Sequence, residues 1–211
     1  MSPDPISRLE AIHSRGRLLV LVGPSGAGKD SLIACAKQAL SGDRSILFVR
    51  RVVTRATPSG EDHDCLSPDE FAVARRSGQF AVHWEAHGLS YGVPATVFPH
   101  LDAGGVAVLN GSRAALPAIR AAFEPVTIVH VTASPDILAK RLAMRGRETE
   151  ADILRRLHRS TIDPSRSGDW VDIDNSGPIE IAAARFLATI RRALIETRGS
   201  LGAHFATARG D

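Results

Sequence analysis

"RLLVLVGPSGAGKDS" (residues 17–31) decides the fold of this chain. Its apolar run, Leu18 to Val22, has no polar alternation, as expected of a strand buried on both faces of a parallel sheet. The glycines that follow open a turn, and "SLIACAKQAL" (residues 31–40) reads as a helix ending near Gly42. Strand, glycine turn and helix in that order make a phosphate cradle: backbone N–H groups point inward at a helix N-terminus. Gly23, Pro24, Ser25, Gly26, Ala27, Gly28, Lys29, Asp30 and Ser31 are therefore the expected ATP-binding loop, with Lys29 as a point charge between the β- and γ-phosphates.

The loop departs from the pattern G-x-x-x-x-G-K-[ST] at its last position, where a hydroxyl normally meets Mg²⁺. Asp30 stands there, and Ser31 comes one place late and is expected to turn toward the helix interior. A carboxylate is a hard oxygen ligand for Mg²⁺, so Asp30 is the candidate metal ligand. Enzymes with such loops usually carry a second metal-organising acid at the end of a later buried strand. The strand "VAVLN" (residues 106–110) ends instead in Asn110. The carboxylate has moved from strand end to loop, which keeps the charge near the metal similar. The competing reading is that Asp30 only favours the first turn of its helix, as acids do.

Outward from the loop, strands alternate with helices, the pattern of an α/β fold with a mainly parallel sheet. Residues 46–53 and 79–86 read as strands, 54–64 and 87–94 as loops, and 126–133 and 169–175 as strands. Ser67 with Glu70 is a capping box opening a helix over 68–77. Residues 112–123 and 134–146 read as helices, the second with Ser134 as N-cap and Pro135 in its first turn. A short helix precedes Gly104, an arginine-rich one covers about 150–160, a long one covers 178–199, and a loose tail follows. The expected organisation is one domain: a core over about 17–52, 94–143 and 161–198, a substrate-binding lobe over about 53–93, and a lid over about 144–160.

Composition narrows the function. The chain has 211 residues and a net charge of +3, with three lysines (Lys29, Lys37, Lys140) among 26 basic residues, so 23 are arginines. Arginine forks suit phosphate ligands, but no long basic run with interleaved aromatics marks a nucleic-acid surface. Cys35 and Cys65 form no disulfide framework or zinc motif, and the scattered histidines read as packing or surface residues. Trp84 and Trp170 read as core. No apolar run approaches a membrane span, and residues 1–10 carry no secretory h-region. A soluble, cytoplasmic protein is expected, and a homodimer is compatible with the sequence.

Beyond the loop, the chain resembles the guanylate kinase superfamily of P-loop kinases over most of its length. Thr54-Arg55 resembles its phosphate-contacting T-R pair. "GED" (60–62), "SPDEF" (67–71) and "EAHGLSYG" (85–92) follow in the family's order. "RLAMRG" (141–146) and "ILRRL" (153–157) resemble its lid. Departures gather where guanylate kinases hold GMP: His63 and Pro58 replace a tyrosine and an arginine, Val93 replaces a threonine, and "NGSR" (110–113) replaces D-x-Q-G. Losing base-reading partners removes base preference, while the added fork of Arg113 suits an acceptor with more phosphate. Within the superfamily, "GPSGAGKDS", "HGLSYGV" and "VLNGSRAALP" resemble the sugar-bisphosphate kinases of bacterial phosphonate utilisation. That resemblance implies transfer of the ATP γ-phosphoryl group to the 1-phosphate of ribose 1,5-bisphosphate, giving 5-phospho-α-D-ribose 1-diphosphate (PRPP) and ADP. It implies Lys29, Asp30, Arg145 and Arg156 as catalytic, and Arg55, Glu85, Tyr91, Asn110, Ser112 and Arg113 as substrate-binding. Asn175 is the expected adenine contact. A true guanylate kinase and a non-catalytic binding module of the same fold are the alternatives.

Overall fold

A computed structural model describes residues 12–55, 63–86, 88–144 and 168–207. Strand β1 (Ile12–Val22) is central in a five-stranded sheet with β2 (Ile46–Phe48), β7 (Val106–Asn110), β8 (Phe123–Thr132) and β9 (Asp169–Asp174). The order is β2-β7-β1-β8-β9, and every pairing is parallel. Leu18 to Val22 are all fully buried because apolar layers cover both faces. On one face Leu19, Leu21, Val129 and Val131 meet α1 (Lys29–Ala39), α5 (Pro135–Ala143) and α6 (Ile179–Thr207) through Leu32, Leu138 and Phe186. On the other, Leu18, Val20 and Val22 meet α3 (Val97–Asp102) and α4 (Leu116–Ala122) through Leu101 and Ile119.

A second sheet, order β4-β3-β6-β5, is built from β3 (Arg51–Val53), β4 (His63–Cys65), β5 (Phe80–Ala86) and β6 (Leu89–Pro94). Val82, Trp84 and Val93 join the α3–α4 layer, so the inner face of this lobe packs on the core. Helix α2 (Pro68–Arg76) carries the expected capping box: the Ser67 N–H donates to Glu70 Oε2 (2.8 Å) and the Glu70 N–H donates to Ser67 Oγ (3.3 Å).

Several expected boundaries differ. The strand expected over 46–53 is two strands in two sheets, because the chain leaves β7 after the Val49 N–H donates to the Val108 carbonyl (2.9 Å). The loop expected over 87–94 is largely strand β6, held by pairing to β5 and β3, partners that no local pattern displays. Phe123 begins β8 rather than ending a helix, and a 3₁₀ turn (Arg113–Ala115) precedes α4. Ser134 is at the N-cap of α5 without a side-chain cap bond; its N–H donates to Ser176 Oγ (2.8 Å). Helix α6 continues to Thr207, where a loose tail is expected. Trp84 is buried, whereas Trp170 is only half-buried. No helix among the described residues is long and apolar enough to cross a membrane.

Candidate active site

The site lies at the carboxyl ends of the core strands, where open parallel sheets bind their ligands. The loop between β1 and α1 folds so tightly that two glycines are obligatory. A Cβ on Gly23 would strike the backbone carbonyl of Val131, and one on Gly28 would strike the Asn175 carboxamide. Gly28 is also left-handed, at φ +92°, and is the N-cap of α1.

Lys29 folds across this loop. Its ammonium donates to the carbonyls of Gly23 (2.9 Å) and Pro24 (3.1 Å), which holds the charge over the cradle. Asp30 follows in the first turn of α1 and is exposed. No side chain makes a cap bond at this terminus. The Asp30 partner is Asn110: its Nδ2 donates to Asp30 Oδ1 at 2.6 Å, across 80 residues of sequence. The sheet makes that contact, since Leu21 at the end of β1 is in register with Asn110 at the end of β7. The loop acid and the strand-end amide are thus joined, an arrangement compatible both with a metal-ligand role for Asp30 and with its place as a helix-terminal acid. Ser31 is exposed, contrary to expectation, because Leu32 and Ala36 supply the buried stripe of α1.

The donor set fits Mg²⁺. A carboxylate and a carboxamide oxygen are hard ligands, and Mg²⁺ takes one or two protein groups with the rest from phosphate and water.

Asn175 lies beneath the loop. It is 1% exposed; its Nδ2 donates to the Ala27 carbonyl (2.7 Å) and its N–H to the Thr132 carbonyl (2.8 Å). Arg141, on α5, straps the same region by donating to the carbonyls of Asn175 (2.9 Å) and Gly26 (3.3 Å). Asn175 therefore shapes the loop whether or not it also meets a base. Arg141 was not singled out from the sequence, although its place one turn before Arg145 was a usable signal.

The lobe brings a second group to the cleft. Tyr91 stacks on Trp84 with ring centroids 5.3 Å apart, and the Arg51 guanidinium lies 5.7 Å from the Tyr91 centroid. Burial pushes the Arg51 pKa down; the charge of Asp30 opposes that shift, and Arg55 adds to it. An arginine stays protonated regardless. His63, buried beside Arg51 in the β3–β4 register, is also pushed down, by burial first and then by Arg55, Arg51 and Arg50. Thr54 is tied to the hairpin by its Oγ1, which accepts from the Ser90 N–H (2.9 Å). A cleft of about 290 Å³, lined by residues that include Thr54, Arg55 and Ser67, opens beside the T-R pair. The 3₁₀ turn holding Ser112 as N-cap and Arg113 packs against β5.

Glu85 does not join this group. Strand side chains alternate, so with Trp84 buried against Tyr91, Glu85 points to the opposite, exposed face. Arg51 stands where the sequence singled out no residue, and only the sheet register reveals it. Arg145 and Arg156, the expected lid arginines, lie outside the described residues, as does "GED" (60–62).

Comparison with known proteins agrees with this geometry. No family model matches the chain. A guanylate kinase from Anaplasma phagocytophilum shares the fold, with a TM-score of 0.59 over 85% of this chain and 87% of that one, at 24% identity. The ribose 1,5-bisphosphate phosphokinase PhnN of Agrobacterium fabrum is 48% identical over 87% of this chain and 98% of its own length. Proteins of the same name from Rhizobium etli and Brucella melitensis are 47% and 42% identical, covering 86% and 90% of this chain and 93% and 99% of their own. With 42–48% identity to these proteins over 86–90% of its length, the chain belongs to the ribose 1,5-bisphosphate phosphokinase PhnN family.

Proposed function

We propose that this protein transfers the γ-phosphoryl group of ATP to the 1-phosphate of ribose 1,5-bisphosphate, releasing ADP and 5-phospho-α-D-ribose 1-diphosphate. The observation that carries the reading is the Asp30–Asn110 unit beside an intact phosphate loop, in a chain alike along nearly the full length of its relatives. The partners in this reading are small molecules and not nucleic acid, and the setting is the cytoplasm, where ATP is supplied.

The chemistry asks little of proton transfer. An oxygen of the acceptor 1-phosphate attacks the γ-phosphorus while the bond to the β–γ bridging oxygen breaks, and the electron pair leaves on ADP. The nucleophile is already an oxyanion, so no general base is required. Catalysis reduces to alignment and charge neutralisation. Lys29 and the loop N–H groups hold the ATP phosphates. Asp30, oriented by Asn110, would hold Mg²⁺, which would supply positive charge to offset that of the phosphates. Arg55, Tyr91, Ser112 and Arg113 would grip the acceptor. By resemblance, Arg145 and Arg156 would offset charge on the transferring group, where one such arginine contributes about 10³–10⁵ in rate.

A ³¹P NMR end-point assay tests the proposal. Purified protein with Mg·ATP is offered ribose 1,5-bisphosphate, ribose 5-phosphate and GMP in separate tubes. A new diphosphate on the ribose C1 carbon, in the first tube only, is the expected result. GDP in the third tube would make the protein a guanylate kinase, and no ATP consumption in any tube would make it a binding module.

A further inference from the structure

Neighbouring arginines on β3 and just before it have opposite fates. Arg50 faces outward and is claimed by Asp64, with Nη2 and Nε at 2.8 and 3.0 Å from Oδ1. Arg51 faces inward, on the face that carries His63 and Tyr91, and is part-buried over the tyrosine ring. Among the described residues the Arg51 guanidinium has no side-chain hydrogen bond or ion pair, only the Tyr91 ring contact. The nearest charges do not resolve this. Arg55 repels Arg51 and Asp30 attracts it, while the His63 imidazole, pushed down by burial and by the neighbouring arginines, offers no counter-charge. A desolvated guanidinium without a carboxylate is costly unless a ligand completes it, and its fork is shaped for a phosphate. The Tyr91 ring, 5.7 Å from the guanidinium carbon, holds that fork by a cation–π contact.

The acceptor under the proposed function carries two phosphates, one more than GMP. Arg55, as the family's T-R arginine, belongs with the phosphate that receives the γ-phosphoryl group. We infer that Arg51, seated over Tyr91, is a specificity-determining residue that binds the other phosphate of the acceptor, the 5-phosphate that takes no part in the bond exchange. This rests on the proposed function. It distinguishes a sugar bisphosphate from acceptors that bear a single phosphate.

The test is a ratio. kcat/KM is measured for ribose 1,5-bisphosphate and for ribose 1-phosphate, in the wild type, Arg51→Gln and Arg51→Lys. Because both acceptors are compared in one preparation, partial misfolding of a variant cancels. Losing a charge-assisted fork is expected to collapse the bisphosphate preference by about 10- to 100-fold in Arg51→Gln. Arg51→Lys, which keeps the charge but not the fork, should fall between. Equal losses on both acceptors, leaving the ratio at its wild-type value, would overturn the assignment while the kinase activity stood. Wild-type protein that forms no diphosphate from either acceptor would overturn the functional reading and Arg51's role together.

Discussion

Asn110→Asp is the change that most directly questions the Asp30–Asn110 unit. The wild-type amide donates to Asp30 Oδ1 at 2.6 Å. The variant replaces that donor with a second carboxylate facing the first. Two unit charges at about 4 Å repel by about 1 kcal/mol in bulk water and about 4 kcal/mol at an effective dielectric of 20. Asp30 is exposed, so the lower part of that range applies, roughly 1–2 kcal/mol. For a chain of this size that amounts to a Tm drop of about 2–8 °C without Mg²⁺. A divalent cation bridging the two carboxylates relieves the repulsion, so Mg²⁺ should raise the Tm of Asn110→Asp more than that of the wild type. Asp30→Asn should lower kcat/KM by about 100-fold or more, since the loop then offers the metal no charge. The double exchange Asp30→Asn/Asn110→Asp restores one acid and one amide in reversed places, and should be more active than Asp30→Asn alone. Thermal melting with and without Mg²⁺, and ³¹P-monitored turnover, read these outcomes. The reasoning is refuted if Asn110→Asp melts like the wild type in both conditions, or if Asp30→Asn retains wild-type turnover and Mg²⁺ dependence.

Two further changes test the surroundings. Asn175→Ala removes the buried bond to the Ala27 carbonyl and should cost about 1–3 kcal/mol while raising KM for ATP; unchanged melting and ATP affinity would show that the loop does not depend on it. His63 has a folded pKa below its ordinary value near 6.5, so as pH falls through 6.5 the unfolded chain takes up a proton that the folded one resists. Stability should therefore decline as pH is lowered from about 7.5 to 5.5, less steeply in His63→Gln; identical melting profiles for the two proteins would sink that attribution.

The sequence by itself determined the features that local chemistry dictates. The apolar run at Leu18 to Val22, the glycine loop and the first turn of α1 follow from neighbouring residues, and so does the Ser67–Glu70 capping box. Lys29 and Asp30 were legible for the same reason, because a phosphate loop is one continuous segment. What the tertiary structure decided depends on which distant strands lie side by side. Asn110 meets Asp30 only because β7 pairs in register with β1, and Asn175 props the loop only because β9 pairs with β8. Register also assigns faces, since a strand's side chains alternate and a one-residue difference sends a group to the other side. That is why Glu85 lies on the exposed face of β5, while Arg51 shares a face with His63 and Tyr91. The stretch 46–53 looks like a single strand because its residues all favour extended backbone. Its division between two sheets is imposed by partners at Val106 to Val108 and at Tyr91 and Gly92, far away in sequence.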